Sequence, residues 1–297
     1  MEEIVKGIRS RNYKFKPKIV PILHSETAEI MLKKEGKYTL NLTLGRYSES
    51  QIESLDNTVR VEFNGRIYEL EKKDLKRVVK KSTKLFTIAE EGLEALEIRN
   101  EHYYKLMLPP KTIYPTLEID GIHMHRIKDT NPIKDTWAKI KTLGNLKGAL
   151  SLDTCMGLGY TAILAREKGA RVITVEKDLN VIKLAELNPW SHDLVNLTVY
   201  HNDVRDIISS IPDESLDVVV HDPPRFSLAG ELYSLEFYRE IHRVLKKRGK
   251  LFHYTGLPHS KFRGKSTVKG VGERLFRAGF RVKFDKNAQG YIAIKVF

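Results

Sequence analysis

The stretch GALSLDTCMGLGYTAILAREKGARVITVE, residues 148–176, combines an apolar run, a glycine turn, a helical pattern and a second apolar run. The alternation continues toward the carboxyl end, where LTVYHND, LDVVVHD, GKLFHYT and FRVKFD are predicted strands separated by helical segments. Strands and helices that alternate at this spacing are typical of parallel sheets with right-handed crossovers. We therefore expect an α/β fold with a doubly wound, Rossmann-like sheet, in which ligands bind beyond the carboxyl ends of the strands.

A different pattern precedes this alternation. KIVPIL and KYTLNLTL are predicted short strands around a helix over SETAEIMLKKEG, and TVRVEFNGRIYEL predicts a hairpin whose turn is Asn64-Gly65. A basic helix, KKDLKRVVKK, follows, and the proline-rich segment LPPKTIYPTLEIDGIHMHR then leads into the alternating region. The sequence thus predicts two domains: a basic α+β domain over 1–105 and a Rossmann-like domain over 106–297.

The chain is strongly basic, since 51 Lys and Arg against 38 Asp and Glu give a net charge of +13. Binding of excess Lys and Arg side chains to phosphates is favourable because it releases the counterions that the phosphates hold. The positive net charge therefore favours a polyanionic partner, with RNA as the leading interpretation. An anionic membrane surface could use the same charge. A heat-adapted protein with many surface ion pairs would also have many charged residues and few glutamines and cysteines.

The cellular compartment is predicted from the number of cysteines and from the length of the apolar segments. One cysteine, Cys155, cannot build a disulfide framework and is typical of a reducing environment. No apolar run approaches the roughly 18 residues of a spanning helix, and MEEIVKGIRS lacks the apolar middle of a signal peptide. We expect a cytoplasmic protein without a membrane segment.

Two basic clusters in the amino-terminal third are candidate RNA contacts. Cations interleaved with aromatic side chains can neutralise phosphates and stack on bases, although such runs are often solvated faces. The first cluster interleaves Tyr13 and Phe15 with Lys6, Arg9, Arg11, Lys14, Lys16 and Lys18. The second comprises Lys72, Lys73, Lys76, Arg77, Lys80, Lys81 and Lys84.

The first predicted strand of the sheet ends in a candidate cofactor site. Gly157 and Gly159 let the backbone approach a ligand closely, Asp153 opens the glycine turn, and Glu176, 23 residues further on, could bind both hydroxyls of a ribose. These features suit a nicotinamide dinucleotide as well as S-adenosylmethionine. Asp153 would repel a pyrophosphate but suit the cationic groups of an amino acid, and Asp203 could bind an adenine amine, which favours S-adenosylmethionine. Asp203 could instead cap the next helix.

The stretch HDPPRFSLAGELY, residues 221–233, is the candidate catalytic turn. Two prolines end the strand and stiffen the turn, which leaves Asp222 at its tip. The exocyclic amine of a base is a poor nucleophile because its lone pair is delocalised into the ring. A carboxylate from Asp222 and a backbone carbonyl from the Asp222-Pro223 segment could accept its hydrogens and localise that pair for attack on a methyl group. Phe226 could stack on the base. An ordinary proline-stopped strand is the alternative.

The cysteine and the histidines give weaker signals. Methylation of a pyrimidine at carbon-5 needs a cysteine thiolate, but Cys155 lies in the glycine turn and is better interpreted as a small buried residue. His123 and His125 alternate without a third ligand at a known spacing, so no metal site is expected. His253 and Tyr254, at the end of a strand, are candidates for the base pocket, with core packing as the alternative.

Several strings together carry a family resemblance. The runs LDTCMGLGYTA, VEKD, LAELNPWS, HDPPRFSLAGELYSLEFYREIHRVLK and LFHYTGLP, with YPTLEIDGIHMHR upstream, resemble an archaeal family of class I S-adenosylmethionine-dependent methyltransferases. The resemblance implies the class I methyltransferase fold and modification of ribosomal RNA, by mono- or dimethylation of a cytidine N4 amine in the small-subunit RNA. The amino-terminal domain would then help to hold the RNA.

One position departs from the pattern of amine methyltransferases. They usually have an aromatic residue directly after Asp-Pro-Pro or Asn-Pro-Pro, whereas here Arg225 stands there and Phe226 follows. An aromatic at the fifth place is also similar to carbon-5 cytosine methyltransferases. Arg225 could instead pair with a substrate phosphate.

Other functions stay open at this point. A methyltransferase could act on an adenine or guanine amine of tRNA, or on a glutamine amide of a protein, whose nitrogen has the same delocalised lone pair. A nicotinamide-dependent oxidoreductase fits the glycine turn, and a ribosome-associated binding module without catalysis fits the charge.

Overall fold

The computed structural model describes residues 1, 8, 12–226, 228–257 and 265–296. It divides into two compact units. The larger unit comprises Met1–Phe15, Ile133–Ile182 and Asp193–Phe297, and the smaller unit comprises Lys16–Pro132 and Lys183–His192.

The strands are β1 (Asn12–Tyr13), β2 (Ile22–Leu23), β3 (Gly36–Leu40), β4 (Ser50–Ser54), β5 (Thr58–Phe63), β6 (Arg66–Glu71), β7 (Phe86–Ala89), β8 (Gly92–Ala95), β9 (Glu97–Arg99), β10 (Tyr103–Met107), β11 (Thr116–Ile119), β12 (Ile122–His123), β13 (Leu150–Asp153), β14 (Arg171–Glu176), β15 (Thr198–His201), β16 (Leu216–His221), β17 (Leu245–Tyr254), β18 (Phe280–Asp285) and β19 (Gly290–Lys295). The helices are α1 (Ser25–Lys33), α2 (Lys72–Val79), α3 (Pro132–Lys141), α4 (Tyr160–Glu167), α5 (Leu179–Leu187), α6 (Val204–Ser209), α7 (Leu235–Val244) and α8 (Lys265–Arg277). Two 3₁₀ helices cover Pro189–Asn196 and Gly230–Tyr233.

The larger unit is built on an eight-stranded sheet in the order β1-β15-β14-β13-β16-β17-β19-β18. The pairs from β15 to β17 are parallel, with helices connecting successive strands, which confirms the predicted doubly wound fold. All four residues of β13 are buried, as expected for a central parallel strand covered on both faces.

Two strands of this sheet were not predicted. β1 lies at one edge and pairs antiparallel with β15. β19 lies between β17 and β18 and is antiparallel to both. The prediction ended at FRVKFD, which is β18, as the last strand of a parallel series. β18 and β19 form a hairpin, and an antiparallel pair needs only a tight turn instead of a crossover helix.

The register of the central strands places the candidate residues at one edge. Asp153 of β13 pairs with Thr174 of β14 on one side and with Val220 of β16 on the other. The carboxyl ends of these three parallel strands therefore lie side by side.

The smaller unit combines short antiparallel sheets with the helices α1 and α2. The sheet β3-β4-β5-β6 includes the predicted hairpin, whose turn residues Asn64 and Gly65 have φ of 49° and 75°, as a type I′ turn requires. The prediction assigned residues 1–105 to the amino-terminal domain, whereas the larger unit includes Met1–Phe15 and the smaller unit extends to Pro132 and includes Lys183–His192. The extension to Pro132 arises because β10, β11 and β12 belong to one sheet with β9, in the order β12-β11-β10-β9.

None of the described helices is both long and apolar enough to cross a membrane.

Candidate functional site

The two glycines of the turn after β13 have different surroundings. Both have a left-handed backbone, with φ of 54° at Gly157 and 76° at Gly159. A Cβ added at Gly157 would meet nothing within 4 Å, so this glycine borders open space. A Cβ at Gly159 would lie 2.6 Å from both Cδ atoms of the fully buried Leu194. Gly157 thus leaves room for a ligand, whereas Gly159 is required by packing.

Asp153 lies beneath this turn and is buried. Its carboxylate accepts hydrogen bonds from the hydroxyls of Thr161 (2.8 Å) and Thr174 (2.6 Å). Burial raises the pKa of Asp153 to about 7, against the opposing effect of the two hydroxyls. The carboxylate is thus held inside the protein by two threonines that the sequence analysis did not single out. Its predicted contact with the cationic part of a ligand stays a prediction.

Glu176 ends the neighbouring strand and binds the glycine turn directly. Its carboxylate accepts hydrogen bonds from the backbone N–H groups of Gly157 and Asp178, both at 3.0 Å. Burial raises the pKa of Glu176. The acid is therefore fixed beside the open space at Gly157, where the prediction places a ribose.

Asp203 is the N-cap of α6. Its carboxylate accepts from the backbone N–H of Arg205 (2.9 Å) and pairs with the guanidinium of the same residue at 2.8 Å. This hydrogen bonding lowers the pKa of Asp203. The capping interpretation is what the structure shows, and a contact with adenine stays a prediction.

S-adenosylmethionine fits this group of residues. The open side of Gly157 offers space that a side chain would fill, and Glu176 places a carboxylate next to it at the end of the adjacent strand. Gly157 and Glu176 would hold the nucleoside part of the cofactor.

Asp222 follows β16 and is bound by a lysine that the sequence analysis missed. The Nζ atom of Lys139, on α3, lies 2.5 Å from Oδ2 of Asp222 and 2.8 Å from Oδ2 of Asp135. The same ammonium lies 4.4 Å from the ring centroid of Tyr254. The ammonium of Lys139 therefore contacts both Asp222 and Tyr254, two residues that the sequence predicts to be in the site.

The turn after Asp222 is held by an aromatic residue. The hydroxyl of Tyr233 donates to the carbonyl of Pro224 at 2.8 Å, and Pro223 is buried. Phe226 packs its ring edge-on against Tyr233, with centroids 5.5 Å apart, and is 53% exposed. The carbonyl of Arg225 accepts from the backbone N–H groups of Leu228 and Ala229, which folds the turn back on itself. The turn thus presents an exposed aromatic ring on a fixed backbone.

The sequence predicts His253 in the base pocket, whereas the structure buries it in the core. His253 is fully buried, its ring lies 4.4 Å from that of His221, and its Nε2 hydrogen-bonds the hydroxyl of Tyr238. Successive side chains of a strand point to opposite faces, so Tyr254 and His253 cannot both face the site. The core-packing alternative therefore describes His253.

His221 is a second buried histidine beneath the candidate catalytic turn. Its Nε2 contacts the carbonyl of Leu232 (3.0 Å) and therefore donates, while Nδ1 lies 2.7 Å from the hydroxyl of Thr154. Burial lowers the pKa of His221 to about 4, so the ring is neutral. It connects the ends of β13 and β16 without adding charge to the site.

Cys155 lies in the glycine turn, whereas the paired histidines belong to the smaller unit. Burial raises the pKa of the Cys155 thiol, which opposes thiolate chemistry. His123 bonds to Glu118 at 2.9 Å, and His125 bonds to Thr116 at the same distance.

Several of these residues carry no recognisable sequence signal. Asp135 and Lys139 are spaced i, i+4 in PIKDTWAKIK, a common pattern on solvated helices. Nothing in the sequence indicates that this pair is buried or that Asp222 joins it.

Comparisons with known proteins agree with this geometry. The family described as "Methyltransferase domain" matches residues 152–253. Among solved structures, a spermidine synthase from Thermotoga maritima has a TM-score of 0.51 at 15% identity, covering 67% of this chain and 71% of that one. MNMC2 from Aquifex aeolicus has a TM-score of 0.51 at 20% identity, covering 66% and 72%. At these identities the two structures show the fold alone.

The domain match and the fold identify a class I methyltransferase domain, with S-adenosylmethionine as its cofactor. The uncharacterized protein MJ1233 of Methanocaldococcus jannaschii is 50% identical over 224 residues, which are 74% of this chain and 77% of that protein. The chain belongs to the same family as MJ1233.

Two glycine variants test the cofactor site. Gly157→Ala and Gly159→Ala share a cost of about 1–2 kcal/mol for a left-handed alanine. Gly159→Ala should lose about 1–3 kcal/mol more of the free energy of unfolding, because its Cβ collides with Leu194. Gly157→Ala should instead weaken S-adenosylhomocysteine binding, measured by calorimetry. Unchanged affinity in Gly157→Ala would show that this glycine does not face the cofactor.

Asp153 predicts a specific pH dependence of stability. Its folded pKa of about 7 lies above the ordinary 3.8, so the folded state binds the proton more tightly than the unfolded chain. The stability that this group contributes is complete at low pH and falls between about pH 4 and 7, by at most about 1.4 kcal/mol per unit. Asp153→Asn should lack this loss, so its free energy of unfolding should rise relative to that of the wild type over this range. Urea denaturation at several pH values checks this, and parallel profiles would contradict it.

Proposed function

We propose that the enzyme methylates the exocyclic amine of an RNA base, with the N4 amine of a cytidine in small-subunit ribosomal RNA as the substrate. The observation that carries the proposal is the position of Asp222. Its carboxylate stands at the carboxyl edge of the central sheet, bound to Lys139, in a turn that also exposes Phe226.

The chemistry follows from the low nucleophilicity of an aromatic amine. Its lone pair is delocalised into the ring, so the nitrogen must become tetrahedral before it can attack. Asp222 would accept a hydrogen bond from the amine and localise the pair on nitrogen. When bound, S-adenosylmethionine supplies an electrophilic methyl group. The nitrogen–carbon bond would form as the methyl group leaves its sulfur, which would keep the electron pair of the broken carbon–sulfur bond. Asp222 would accept the proton that the nitrogen loses.

Phe226 supports a base as the substrate. A half-exposed ring on a fixed turn next to Asp222 offers a surface on which a flat base can stack. The raised pKa of Cys155 argues against the carbon-5 route, which needs a thiolate. The amine is therefore the better target, despite Arg225 in the place where amine methyltransferases usually have the aromatic residue.

The second basic cluster, which covers α2 and the segment directly after it, supports RNA as the partner. Lys73, Arg77 and Lys84 form ion pairs with Glu71, Asp74 and Glu97. Lys76, Lys80 and Lys81 are exposed and make no ion pair with any residue that the structure describes. These three lysines could contact phosphates.

The first basic cluster is described only in part. Lys6, Arg9 and Arg11 lie outside the described residues. Lys14 and Lys16 are exposed, while Lys18 pairs with Glu186 at 3.7 Å. Phe15 is 4% exposed, which removes it as a stacking residue. Tyr13 packs edge-on against His201 instead.

The central test is methyl transfer by Asp222→Asn. Small-subunit RNA from cells without the gene would be incubated with the enzyme and labelled S-adenosylmethionine, and its nucleosides analysed by mass spectrometry. The wild type should produce N4-methylated cytidine. Asp222→Asn should lose about 10²–10⁴ in rate, because the amine loses its acceptor, while cofactor affinity is kept.

Asp217→Asn provides the matched control, since Asp217 lies on the same strand and binds Leu150 and Lys246 instead. It should keep the wild-type rate. Full transfer by Asp222→Asn, or label in protein or in tRNA purines instead of this RNA, would overturn the proposal.

A further inference from the structure

Lys139 is a buried cation with two carboxylate partners. The side chain of Lys139 is 1% exposed and that of Asp135 is fully buried, whereas the Asp222 side chain is 16% exposed. A lysine can stay charged in a protein interior only if it is paired, because transfer of the ammonium from water is costly. Lys139, Asp135 and Asp222 therefore form one buried ionic group, which we call the lysine triad.

We infer that Lys139 is a positioning residue for methyl transfer, holding one oxygen of Asp222 and keeping that carboxylate ionised so that it can accept a hydrogen bond from the base amine. The inference rests on the proposed function, in which Asp222 contacts the amine. It assigns Lys139 a role through Asp222 and no contact with the substrate.

The charge of the lysine triad supports this role over a purely structural one. Asp135 and Lys139, four residues apart on α3, would already be a neutral pair. Asp222 comes from a different element and gives the three groups a net charge of −1, from two carboxylates and one ammonium. Of the two carboxylates, Asp222 is the one that reaches solvent. The surplus negative charge is thus placed where a hydrogen-bond donor or a sulfonium can approach.

Other ionisable groups surround the lysine triad. Tyr254 of β17 places its ring 4.4 Å from the ammonium, and Asp153 of β13 and the thiol of Cys155 interact electrostatically with Asp222. Burial lowers the pKa of Lys139, but Asp135, Asp222 and Tyr254 outweigh it, and the net shift is upward. This upward shift favours the protonated form of Lys139 and opposes a role as a general base or as an amine nucleophile.

Removal of the cation and removal of the second carboxylate should have opposite effects. In Lys139→Met, Asp222 keeps its negative neighbours and loses its counter-ion, so it should bind a proton at higher pH. The acid limb of the pH profile of kcat should move up by about 1–3 units. In Asp135→Asn, Asp222 no longer shares the ammonium of Lys139 with a second carboxylate, and the negative charge of Asp135 no longer repels that of Asp222. The acid limb should therefore move to lower pH.

The kinetic experiment compares these variants in steady-state methylation of the RNA. Lys139→Met should lose about 10- to 100-fold in kcat at neutral pH, with KM for RNA within about threefold, since a positioning residue acts on the transition state. Lys295→Met is the matched control. Lys295 is also buried but binds the carbonyl of Leu245 and the carboxylate of Glu214, so this variant should keep the wild-type acid limb.

A second measurement does not need the RNA. In protein labelled with ¹³C at aspartate carboxyls, Asp222 is identified by the resonance that Asp222→Asn lacks. This resonance should titrate at higher pH in Lys139→Met and at lower pH in Asp135→Asn than in the wild type. Equal titration in all three proteins would overturn the inference, and so would matching pH profiles of kcat.

The outcomes separate the two proposals. If the wild type does not methylate RNA, the proposed function fails, and the carboxyl titration still decides whether Lys139 controls Asp222. If Asp222→Asn abolishes transfer but Lys139→Met changes neither kcat nor the titration, the proposed function stands and the inference fails. If Lys139→Met does not fold, the opposite shift in Asp135→Asn carries the test.

Discussion

Parallel pairing of β14, β13 and β16 is the constraint on which the site depends. Because adjacent parallel strands end at the same edge, Asp153, Glu176 and Asp222 are brought together from positions up to 69 residues apart in the chain. Each then receives a different environment: Asp153 two threonine hydroxyls, Glu176 two backbone N–H groups, and Asp222 a buried ammonium. Groups of one chemical type can perform different tasks when their surroundings separate their ionisation.

The three environments suit the three acids to different roles in the site. The partners of Glu176 are backbone groups of the glycine turn and of the segment that leads into α5, so this acid is fixed beside the space where we propose that the cofactor binds. Asp153 lies beneath that space, and burial raises its pKa to about 7. Asp222 depends on a lysine from α3, the helix that precedes β13, the first parallel strand of the sheet. This helix is therefore part of the catalytic arrangement that we propose, whereas the neutral His221 keeps the turn in place without changing its charge.

Local patterns in the sequence predicted the alternating strands, the glycine turn and the acids at the strand ends, because periodicity and turn chemistry are properties of neighbouring residues. Such local patterns do not indicate which residues that are distant in the chain will be in contact. The burial of Lys139, the collision that makes Gly159 necessary and the burial of Phe15 and His253 all depend on which elements pack together. β19 was missed for a related reason, since KNAQGYIAIK carries a strand signal but no indication that it inserts between two earlier strands.

A crystal structure with S-adenosylhomocysteine and a cytidine-containing RNA fragment would test the central claim most directly. The account predicts that the base lies between the cofactor sulfur and the Asp222 carboxylate, with these two groups no more than about 8 Å apart, the sum of a hydrogen bond, a near-attack contact and a carbon–sulfur bond. A carboxylate turned away from the cofactor, or a gap with no room for a flat ring, would contradict it.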